Sequence, residues 1–261
     1  MISYLILGVV QGLTEFLPVS SSGHLVLVQT LLGLNPPGVL LEACLHLGTA
    51  AAVILTFRHD IAELVRALSA RGTLERRKEI GFLIVATVPI AGVGFLLRGQ
   101  IDQAFASLRL IGVGWLVVGL LLFLVDRAAR RARRRVLTFP DAVVVGAAQA
   151  VSLLPGFSRS GLTIGAAVLR SVDPGKAVRF SFLLSIPALV GAAGIAFVEA
   201  GSSGTFAEAN ALGLVLGAAA AFLVGLGAAR LLLRAVARGK LWVFGVYSIL
   251  VGGAVVLWGG A

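Results

Sequence analysis

Charged residues and cysteines are scarce in this chain of 261 residues. Only 13% of its residues are Asp, Glu, Lys or Arg, whereas soluble domains carry about 25%. Cys44 is the only cysteine, which excludes a disulfide within one chain and a cysteine-based metal cluster. The chain has only three histidines, so we expect no zinc site. The first residues also lack the basic start of a cleaved signal peptide.

Hydrophobic residues make up 58% of the chain and are gathered in long runs. A helix needs about 20 apolar residues to cross a bilayer. Six runs approach that length, and we predict that they are transmembrane helices: residues 39–57, 80–97, 108–125, 177–198, 212–233 and 242–258.

Two further apolar stretches are each interrupted by a polar break. Residues 2–12 and 24–34 are too short to span a bilayer and are separated by a proline and three serines. Residues 141–170 have the same design around a Pro-Gly pair. Irregular backbone at membrane depth is tolerated only where protein or a polar cavity covers it. We therefore predict two re-entrant helical hairpins, which with the six spans make an all-α polytopic membrane protein. Residues 35–38 are predicted to form a turn.

The basic residues are concentrated in four connectors between the predicted helices. Of the 22 Lys and Arg residues, 19 lie in residues 58–78, 127–135, 170–179 and 230–240. With six spans these connectors share one side of the membrane, which the positive-inside rule makes cytoplasmic. Both termini and the loops 98–108 and 199–211 are then outside. We interpret the arginine run at 127–135 as an orientation signal that contacts anionic membrane lipids, and we do not expect nucleic-acid binding.

A weak internal repeat relates the two hairpins at an offset of 138 residues. Gly8, Gln11, Ser20, Ser22 and Gly23 match Gly146, Gln149, Ser158, Ser160 and Gly161. The charge topology puts the hairpins on opposite sides, so we predict a single membrane domain, residues 1–261, of two inverted halves at about 1–126 and 139–261. Inverted repeats with broken helices place a polar site near the midplane, where the halves meet.

The first break carries a carboxylate. Gln11 and Glu15 are four residues apart and share one helix face. Because a carboxylate within the bilayer is costly, we expect Glu15 to be functional, as a metal ligand or a proton acceptor. The alternative is a protonated Glu15 bonded to a nearby carbonyl. Glu42 and His46 share a face of the first span and are held only as supporting candidates.

Serines and a histidine open the helix that follows. Ser20, Ser22 and Gly23 either cap its N–H groups or bind phosphate oxygens together with them. Ser21 lies three residues before His24, so we expect its hydroxyl near the imidazole. The two are then a nucleophile and its base, or two donors to a substrate.

The second break supplies Arg159. A buried guanidinium requires anionic partners and binds phosphate through two prongs; an internal ion pair with Glu15 is the alternative. Its neighbours predict a second helix start that binds substrate: Ser158, Ser160 and Gly161. Thr163, one turn further, is a candidate substrate contact or forms a bond back to its own helix.

Together these groups suit a phosphorylated lipid, whose tail remains in the bilayer while its head enters the site. A Mg²⁺ or Ca²⁺ ion that bridges phosphate oxygens and Glu15 would suit such hard oxygen ligands, with Gln11 as a further candidate ligand.

Both breaks resemble the motifs of the undecaprenyl-diphosphate phosphatase family, also called the bacitracin-resistance proteins. The first motif is similar to residues 11–24, Q-G-L-T-E-F-L-P-V-S-S-S-G-H, and the second to residues 155–163, P-G-F-S-R-S-G-L-T. The likeness extends through residues 45–49, L-H-L-G-T, and 180–187, F-S-F-L-L-S-I-P.

The resemblance implies removal of the terminal phosphate from undecaprenyl diphosphate in the bacterial plasma membrane, which yields the carrier lipid for cell-wall synthesis. It implies a divalent cation, a site open to the outer face, and catalytic roles for Glu15, Ser21, His24 and Arg159. Many members have glutamate where this chain has Gln11, which can coordinate through its amide oxygen but cannot act as a base.

Several alternatives stay open at this point. Either Ser21 or a water attacks the terminal phosphorus, and either His24 or Glu15 handles the proton. A polyprenyl-phosphate transporter or flippase is the rival function, because inverted repeats around a midplane site are transporter architecture. A purely structural scaffold is a third reading. The oligomeric state is not fixed by the sequence, and a homodimer is one arrangement.

Overall fold

The computed structural model describes residues 1–34, 39–69, 72–203 and 209–258. Within these ranges the chain is all-helical, and one isolated β-bridge joins Arg134 to Val172. The helices are α1 (Ile2–Thr14), α2 (Ser21–Leu31), α3 (Val39–Thr56), α4 (Arg58–Ala67), α5 (Leu74–Leu96), α6 (Arg98–Phe105), α7 (Leu108–Ala129), α8 (Phe139–Val151), α9 (Arg159–Leu169), α10 (Pro174–Ser202), α11 (Ala211–Ala237) and α12 (Trp242–Trp258). The predicted turn at 35–38 and the middle of the predicted loop at 199–211 lie outside the described residues.

Five of these helices are long and apolar enough to cross a membrane: α3, α5, α7, α10 and α11. They correspond to five of the six predicted spans. The sixth, α12, has 17 residues, which is the lower limit of length for a spanning helix, about 17–25 residues. The chain is therefore a multi-pass, all-helical membrane protein.

Both predicted breaks are present. The first separates α1 from α2 between Thr14 and Ser21, and the second separates α8 from α9 between Val151 and Arg159. In the second break Gly156 has φ +78°, a conformation that side chains disfavour. At 13 residues, α1 and α8 are each about 20 Å long and cannot cross the roughly 30 Å hydrocarbon core.

The two hairpins pack in matching ways. Helix α1 lies on α11 so closely at Gly8 that an added Cβ would meet the carbonyl of Gly217. Helix α8 lies on α5, where a Cβ at Gly146 would come within 2.8 Å of Ala86 Cα. Gly8 and Gly146 are repeat partners in the sequence, so the two halves use the same position for the same kind of contact.

Where α7 crosses α12, glycines of each helix face the backbone carbonyls of glycines on the other. A Cβ added at Gly112 would lie 3.0 Å from the Gly252 carbonyl, and one added at Gly252 would lie 2.7 Å from that of Gly112. Gly119 and Gly245 have the same relation, at 2.9 Å in each direction. The helices run antiparallel at a distance that only small residues allow.

Ion pairs gather the basic connectors at one end of the molecule. At the start of α10, Lys176 Nζ lies 3.0 Å from Glu79, and Arg179 lies 2.7 Å from Asp60 of α4. Asp141 forms a two-pronged pair with Arg134.

The fourth basic connector, residues 230–240, lies at the same end of the molecule, and a separate ion pair lies at the opposite end. Asp126 Oδ1, at the basic end of α7, accepts hydrogen bonds from the N–H groups of Leu241 (3.0 Å) and Trp242, which brings the fourth connector to that end. At the other ends of α5 and α10, Arg98 pairs with Glu199. The four basic connectors therefore share one end, as the sequence predicts.

Candidate active site

The carboxylate of Glu15 is the centre of the polar site. It lies just after α1 and is 8% exposed. Its Oε2 accepts hydrogen bonds from Gln11 Nε2 at 3.0 Å and from the Ser21 hydroxyl at 2.6 Å. Its Oε1 accepts one from Nη2 of Arg159. Three helices, α1, α2 and α9, thus converge on one anion.

The pairing of Arg159 with Glu15 joins groups 144 residues apart in the chain. Arg159 is the first residue of α9, so the second hairpin delivers its guanidinium to the break of the first. The structure contains the internal ion pair that the sequence left as an alternative. Removing one member of such a buried pair leaves the other charge uncompensated, so each residue depends on the other.

The serines at the two helix starts act as caps in the same way. Ser20 Oγ accepts from the N–H of Gly23 at 3.4 Å, and Ser158 Oγ accepts from that of Gly161 at 3.2 Å. Within each start the paired hydroxyls are close: Ser20 to Ser22 at 3.5 Å and Ser158 to Ser160 at 3.2 Å. The first two N–H groups of a helix have no intrahelical partner, so each capped start still presents donors to an anion.

Two hydroxyls of the second hairpin bond to the protein itself. Ser160 donates to the Leu17 carbonyl at 3.1 Å and so fastens the second hairpin to the first break. Thr163 donates to the Arg159 carbonyl at 2.8 Å, the bond within its own helix that the sequence allowed, and lies 2.6 Å from the hydroxyl of Ser181. Gly161 lets the hairpins approach, since a Cβ there would lie 3.3 Å from that of Pro18.

His24 does not pair with Ser21, which corrects the expectation drawn from their spacing. Its Nδ1 lies 2.7 Å from the carbonyl of Ser20, and its Nε2 lies 2.8 Å from the hydroxyl of Tyr247. A carbonyl can only accept, so Nδ1 carries the hydrogen; in a neutral ring, Nε2 then accepts from the hydroxyl of Tyr247. The Ser20 carbonyl is one helical turn back and competes successfully with the Ser21 hydroxyl, which binds Glu15 instead.

Two aromatic residues near the site were not predicted from the sequence. The fully buried Trp115 donates from Nε1 to the Val19 carbonyl at 2.7 Å and packs on the His24 ring, with ring centroids 4.7 Å apart. Tyr247 stacks on the same imidazole at 5.7 Å. The signal that could have identified them is an aromatic side chain with a hydrogen-bonding N–H or O–H group inside an apolar span.

The supporting candidates lie on α3. His46 Nε2 is 4.0 Å from Glu15 Oε2, so His46 borders the site. Glu42 is one turn earlier on that helix and half-buried; it has no hydrogen bond or ion pair to the residues that the structure describes.

A very small cavity adjoins the ion pair. Its volume is about 10 Å³, roughly enough for one water molecule. The lining residues are Glu15, Phe16, Arg159, Ser160, Ser181, Phe182 and Ser185. Ser181 and Ser185 belong to the 180–187 segment noted for its family likeness, so that segment reaches the site.

The site offers two protein oxygens to a hard cation. Among the described residues, no group of three or more His, Cys, Asp or Glu side chains is placed to hold a metal ion. Gln11 is fully buried, and its Oε1 has no hydrogen-bond partner among the described residues. Mg²⁺ is commonly held by one or two protein oxygens plus substrate phosphates and water. An orphaned amide oxygen beside a carboxylate fits that mode of binding.

Fold and site define a class: a multi-pass helical membrane protein in which two broken helices enclose a carboxylate–guanidinium pair ringed by hydroxyls. The chain matches the family model described as "Bacitracin resistance protein BacA" over residues 4–254. It belongs to that family.

Similar proteins support the same assignment. One from Syntrophotalea carbinolica is 42% identical over 255 residues, which covers 95% of each chain. One from Desulfosudis oleivorans is 40% identical and covers 97% of this chain and 96% of its own. One from Korarchaeum cryptofilum is 39% identical and covers 97% of each. All three are named undecaprenyl-diphosphatase.

Proposed function

We propose that this protein hydrolyses undecaprenyl diphosphate to undecaprenyl phosphate and inorganic phosphate, and so returns the lipid carrier to cell-wall synthesis. Membership of the family and the shared name of its relatives support this activity. The observation that carries it is the meeting of Arg159 with Glu15 and Ser21, which brings an anion-binding group, a carboxylate and a hydroxyl together inside a membrane protein.

The proposed topology has six spans and two re-entrant hairpins in inverted halves, about 1–126 and 139–261, within a single domain. The matching contacts at Gly8 and Gly146 and the reciprocal α7–α12 crossing support a two-fold relation between the halves. The protein is proposed to lie in a bacterial plasma membrane with its basic end inside, both termini outside and its site open to the outer face.

Arg159 is the proposed anchor for the diphosphate. The cavity beside it holds about one water, so the head group enters only as the guanidinium turns from Glu15 towards phosphate. Arginine has five N–H donors in a planar fork, and one of its nitrogens is the donor to Glu15. The N–H groups at the starts of α2 and α9 supply further donors to the phosphate oxygens and offset the charge that develops in the transition state.

The contact between Ser21 and Glu15 supports a route with a serine nucleophile. Ser21 Oγ attacks the terminal phosphorus, and its proton passes to Glu15. The bond from that phosphorus to the bridging oxygen breaks, and undecaprenyl phosphate leaves with the electron pair. Water then attacks the phosphoserine, the bond to Ser21 breaks, one water proton restores its hydroxyl, and the proton on Glu15 leaves with the products.

Direct attack by a water is the second route, with Glu15 as the base and Ser21 as a donor to the substrate. Trapping labelled phosphate on Ser21 after an acid quench supports the first route, with Ser22→Ala as a variant that should still be labelled. Inversion at a chiral terminal phosphorus would establish the second. In either route His24, bonded on both ring nitrogens, orients the start of α2.

A divalent cation, Mg²⁺ or Ca²⁺, is proposed at the carboxylate of Glu15 and the free Oε1 of Gln11. When bound, it would neutralise charge on the diphosphate oxygens.

The function is tested with purified protein and a polyprenyl diphosphate labelled at its terminal phosphate. We expect release of inorganic phosphate, loss of release with a chelator, and recovery with Mg²⁺ or Ca²⁺. A folded protein that releases no phosphate with either ion would contradict the hydrolase. Phosphate release that persists in the chelator would contradict the proposed cation but not the hydrolase activity.

The rival function is transport of a polyprenyl phosphate, which the two-fold packing of the halves favours as an architecture. Proteoliposomes distinguish it from hydrolysis. Lipid crossing without phosphate release supports the transporter, and phosphate release supports the enzyme.

A further inference from the structure

A groove lies at the basic end of α7, where α12 begins. Its volume is about 630 Å³, within the range of small-ligand sites, roughly 300–1,000 Å³. The residues that line it are Leu120, Phe123, Leu124, Asp126, Arg127, Arg130 and Trp242. Five of the seven belong to α7 and Arg130 is the residue that ends it. With spacings of three and four residues, these six form one stripe along the helix.

The stripe changes character along its length. Leu120 and Leu124 are 62% and 56% exposed, and they offer an apolar wall on the membrane side. Arg127 and Arg130 follow one and two turns later, at the end where the basic connectors meet. Trp242 also lines the groove, with its backbone N–H on Asp126 Oδ1, and tryptophan is enriched at membrane–water interfaces.

The groove keeps a net positive charge, because its lining has two arginines and one aspartate. The exposed side chain of Arg127 makes no hydrogen bond or ion pair with any residue that the structure describes. Arg130 forms one ion pair, in which its Nη2 donates to Asp126 Oδ2 at 3.4 Å, and its side chain is 73% exposed. The other oxygen of Asp126 accepts from the N–H groups of Leu241 and Trp242, so this carboxylate mainly caps α12. The Arg127 guanidinium and the remaining donors of Arg130 are therefore available to an external anion.

We propose that this groove is a binding site for one anionic glycerophospholipid. The lipid phosphate would accept hydrogen bonds from Arg127 and Arg130, and an acyl chain would lie along Leu120 and Leu124. Basic pockets beside transmembrane helices on the cytoplasmic side bind anionic head groups in this manner. Trp115 of α7 packs on His24 beside the active site. Asp126 lies eleven residues further along α7, about 16 Å away. The groove is therefore separate from the pair of Arg159 and Glu15.

Fluorescence of Trp242 provides the test. The chain has three tryptophans, of which Trp115 is fully buried, so Trp258→Phe leaves Trp242 as the exposed reporter. The protein is placed in nanodiscs that contain either phosphatidylglycerol or phosphatidylcholine with brominated acyl chains. Bromine atoms quench the fluorescence of a tryptophan that they contact. Each arginine favours an anionic lipid by about fivefold. With two arginines, we therefore expect half-maximal quenching at a roughly 25-fold lower fraction of phosphatidylglycerol than of phosphatidylcholine.

Charge variants show whether the preference belongs to this groove. The double variant Arg127→Gln, Arg130→Gln should lose most of the preference for phosphatidylglycerol. Arg127→Gln alone should lower that preference about fivefold. The matched control, Arg131→Gln with Arg135→Gln, removes the same charge from exposed residues outside the groove and should keep the preference.

Three results would overturn the proposal. The first is equal quenching by the two lipids. The second is an equal loss in both double variants, which would indicate only diffuse attraction to the basic end. The third is displacement of the brominated lipid by polyprenyl phosphate but not by unlabelled phosphatidylglycerol, which would make the groove a site for the carrier lipid.

Discussion

At Glu15, the first residues of α2 and α9, the second helices of the two hairpins, meet on one carboxylate. Ser21 and Arg159 are 138 residues apart, the offset that relates the two halves, and each donates to a different oxygen of Glu15. The residue that corresponds to Glu15 in the second half is Leu153. One half therefore supplies the carboxylate and the hydroxyl, and the other supplies the guanidinium, so the repeat forms one site.

Tyr247 provides a test of how His24 is held. Tyr247→Phe removes the hydroxyl at Nε2, and we expect turnover to fall by roughly fivefold, because one lost hydrogen bond is worth about 1 kcal/mol. The measurements are kcat and KM for phosphate release, with the pH profile of kcat. A loss confined to kcat, with a changed pH profile, is the expected signature of a positioning role.

The only other tyrosine, Tyr4, makes a matched control. Tyr4→Phe should leave kcat and the pH profile unchanged, because the Tyr4 hydroxyl has no hydrogen bond to the residues that the structure describes. If Tyr247→Phe behaves like Tyr4→Phe, His24 does not depend on this contact.

The sequence places Glu15 and Arg159 in one site and offers their ion pair as an alternative, but it does not predict the contacts of the histidine. Glu15 and Arg159 are two charges in very apolar surroundings, where an unpaired buried charge is costly, so their pairing is favoured. The imidazole of His24 had several acceptors within one helical turn, and local spacing does not decide among them. Trp115 and Tyr247 lie in apolar spans, where an aromatic residue is ordinary and its partner depends on tertiary packing.

At the scale of the elements, close helix crossings hold the site in place. Gly252 of α12 faces the Gly112 carbonyl, and a Cβ there would also lie 2.9 Å from that of Trp115, whose indole binds the Val19 carbonyl. The crossing of α7 with α12 therefore supports the first break.

Adjacent glycines in α12 test this packing. Gly252→Ala should destabilise the protein by about 1–3 kcal/mol, because the added methyl group has no room. Gly253→Ala places its methyl in open space and should be neutral or stabilising by up to about 1 kcal/mol, since alanine favours helices over glycine. Thermal unfolding in detergent measures both. Equal effects of the two variants would show that the crossing is looser than described.

The elements themselves were largely predictable. Hydrophobic length identifies the spans, and prolines with serines or glycine identify the breaks. The short helices α4 and α6 were not predicted, because they lie in connectors where polarity hides a helical pattern. The 17-residue α12 is a borderline case, since length alone does not separate a short span from a buried helix.

At the scale of the molecule, charge defines two ends. The basic connectors are joined by ion pairs at one end, and the pair of Arg98 and Glu199 lies at the other. With 19 of 22 basic residues in these connectors, one orientation is strongly favoured.

Single cysteines test this orientation. In a Cys44→Ala background, Gln103→Cys places an exposed thiol at the Arg98 end and Arg131→Cys places one at the basic end. A membrane-impermeant maleimide applied to intact cells should label the first and should label the second only after permeabilisation. The reverse pattern, or labelling of both in intact cells, would contradict the proposed topology.

The most direct test of the central claim is the turnover of Arg159→Lys. Lysine keeps a positive charge beside Glu15, so the thermal stability should stay near that of the unmodified protein, but lysine lacks the planar fork that binds phosphate through two prongs. We expect kcat for phosphate release to fall by about 10²–10³-fold. The matched control is Arg109→Lys, because Arg109 is exposed at the start of α7; this variant should retain normal turnover. If Arg159→Lys released phosphate as fast as that control, the pair of Arg159 and Glu15 would not be the diphosphate site.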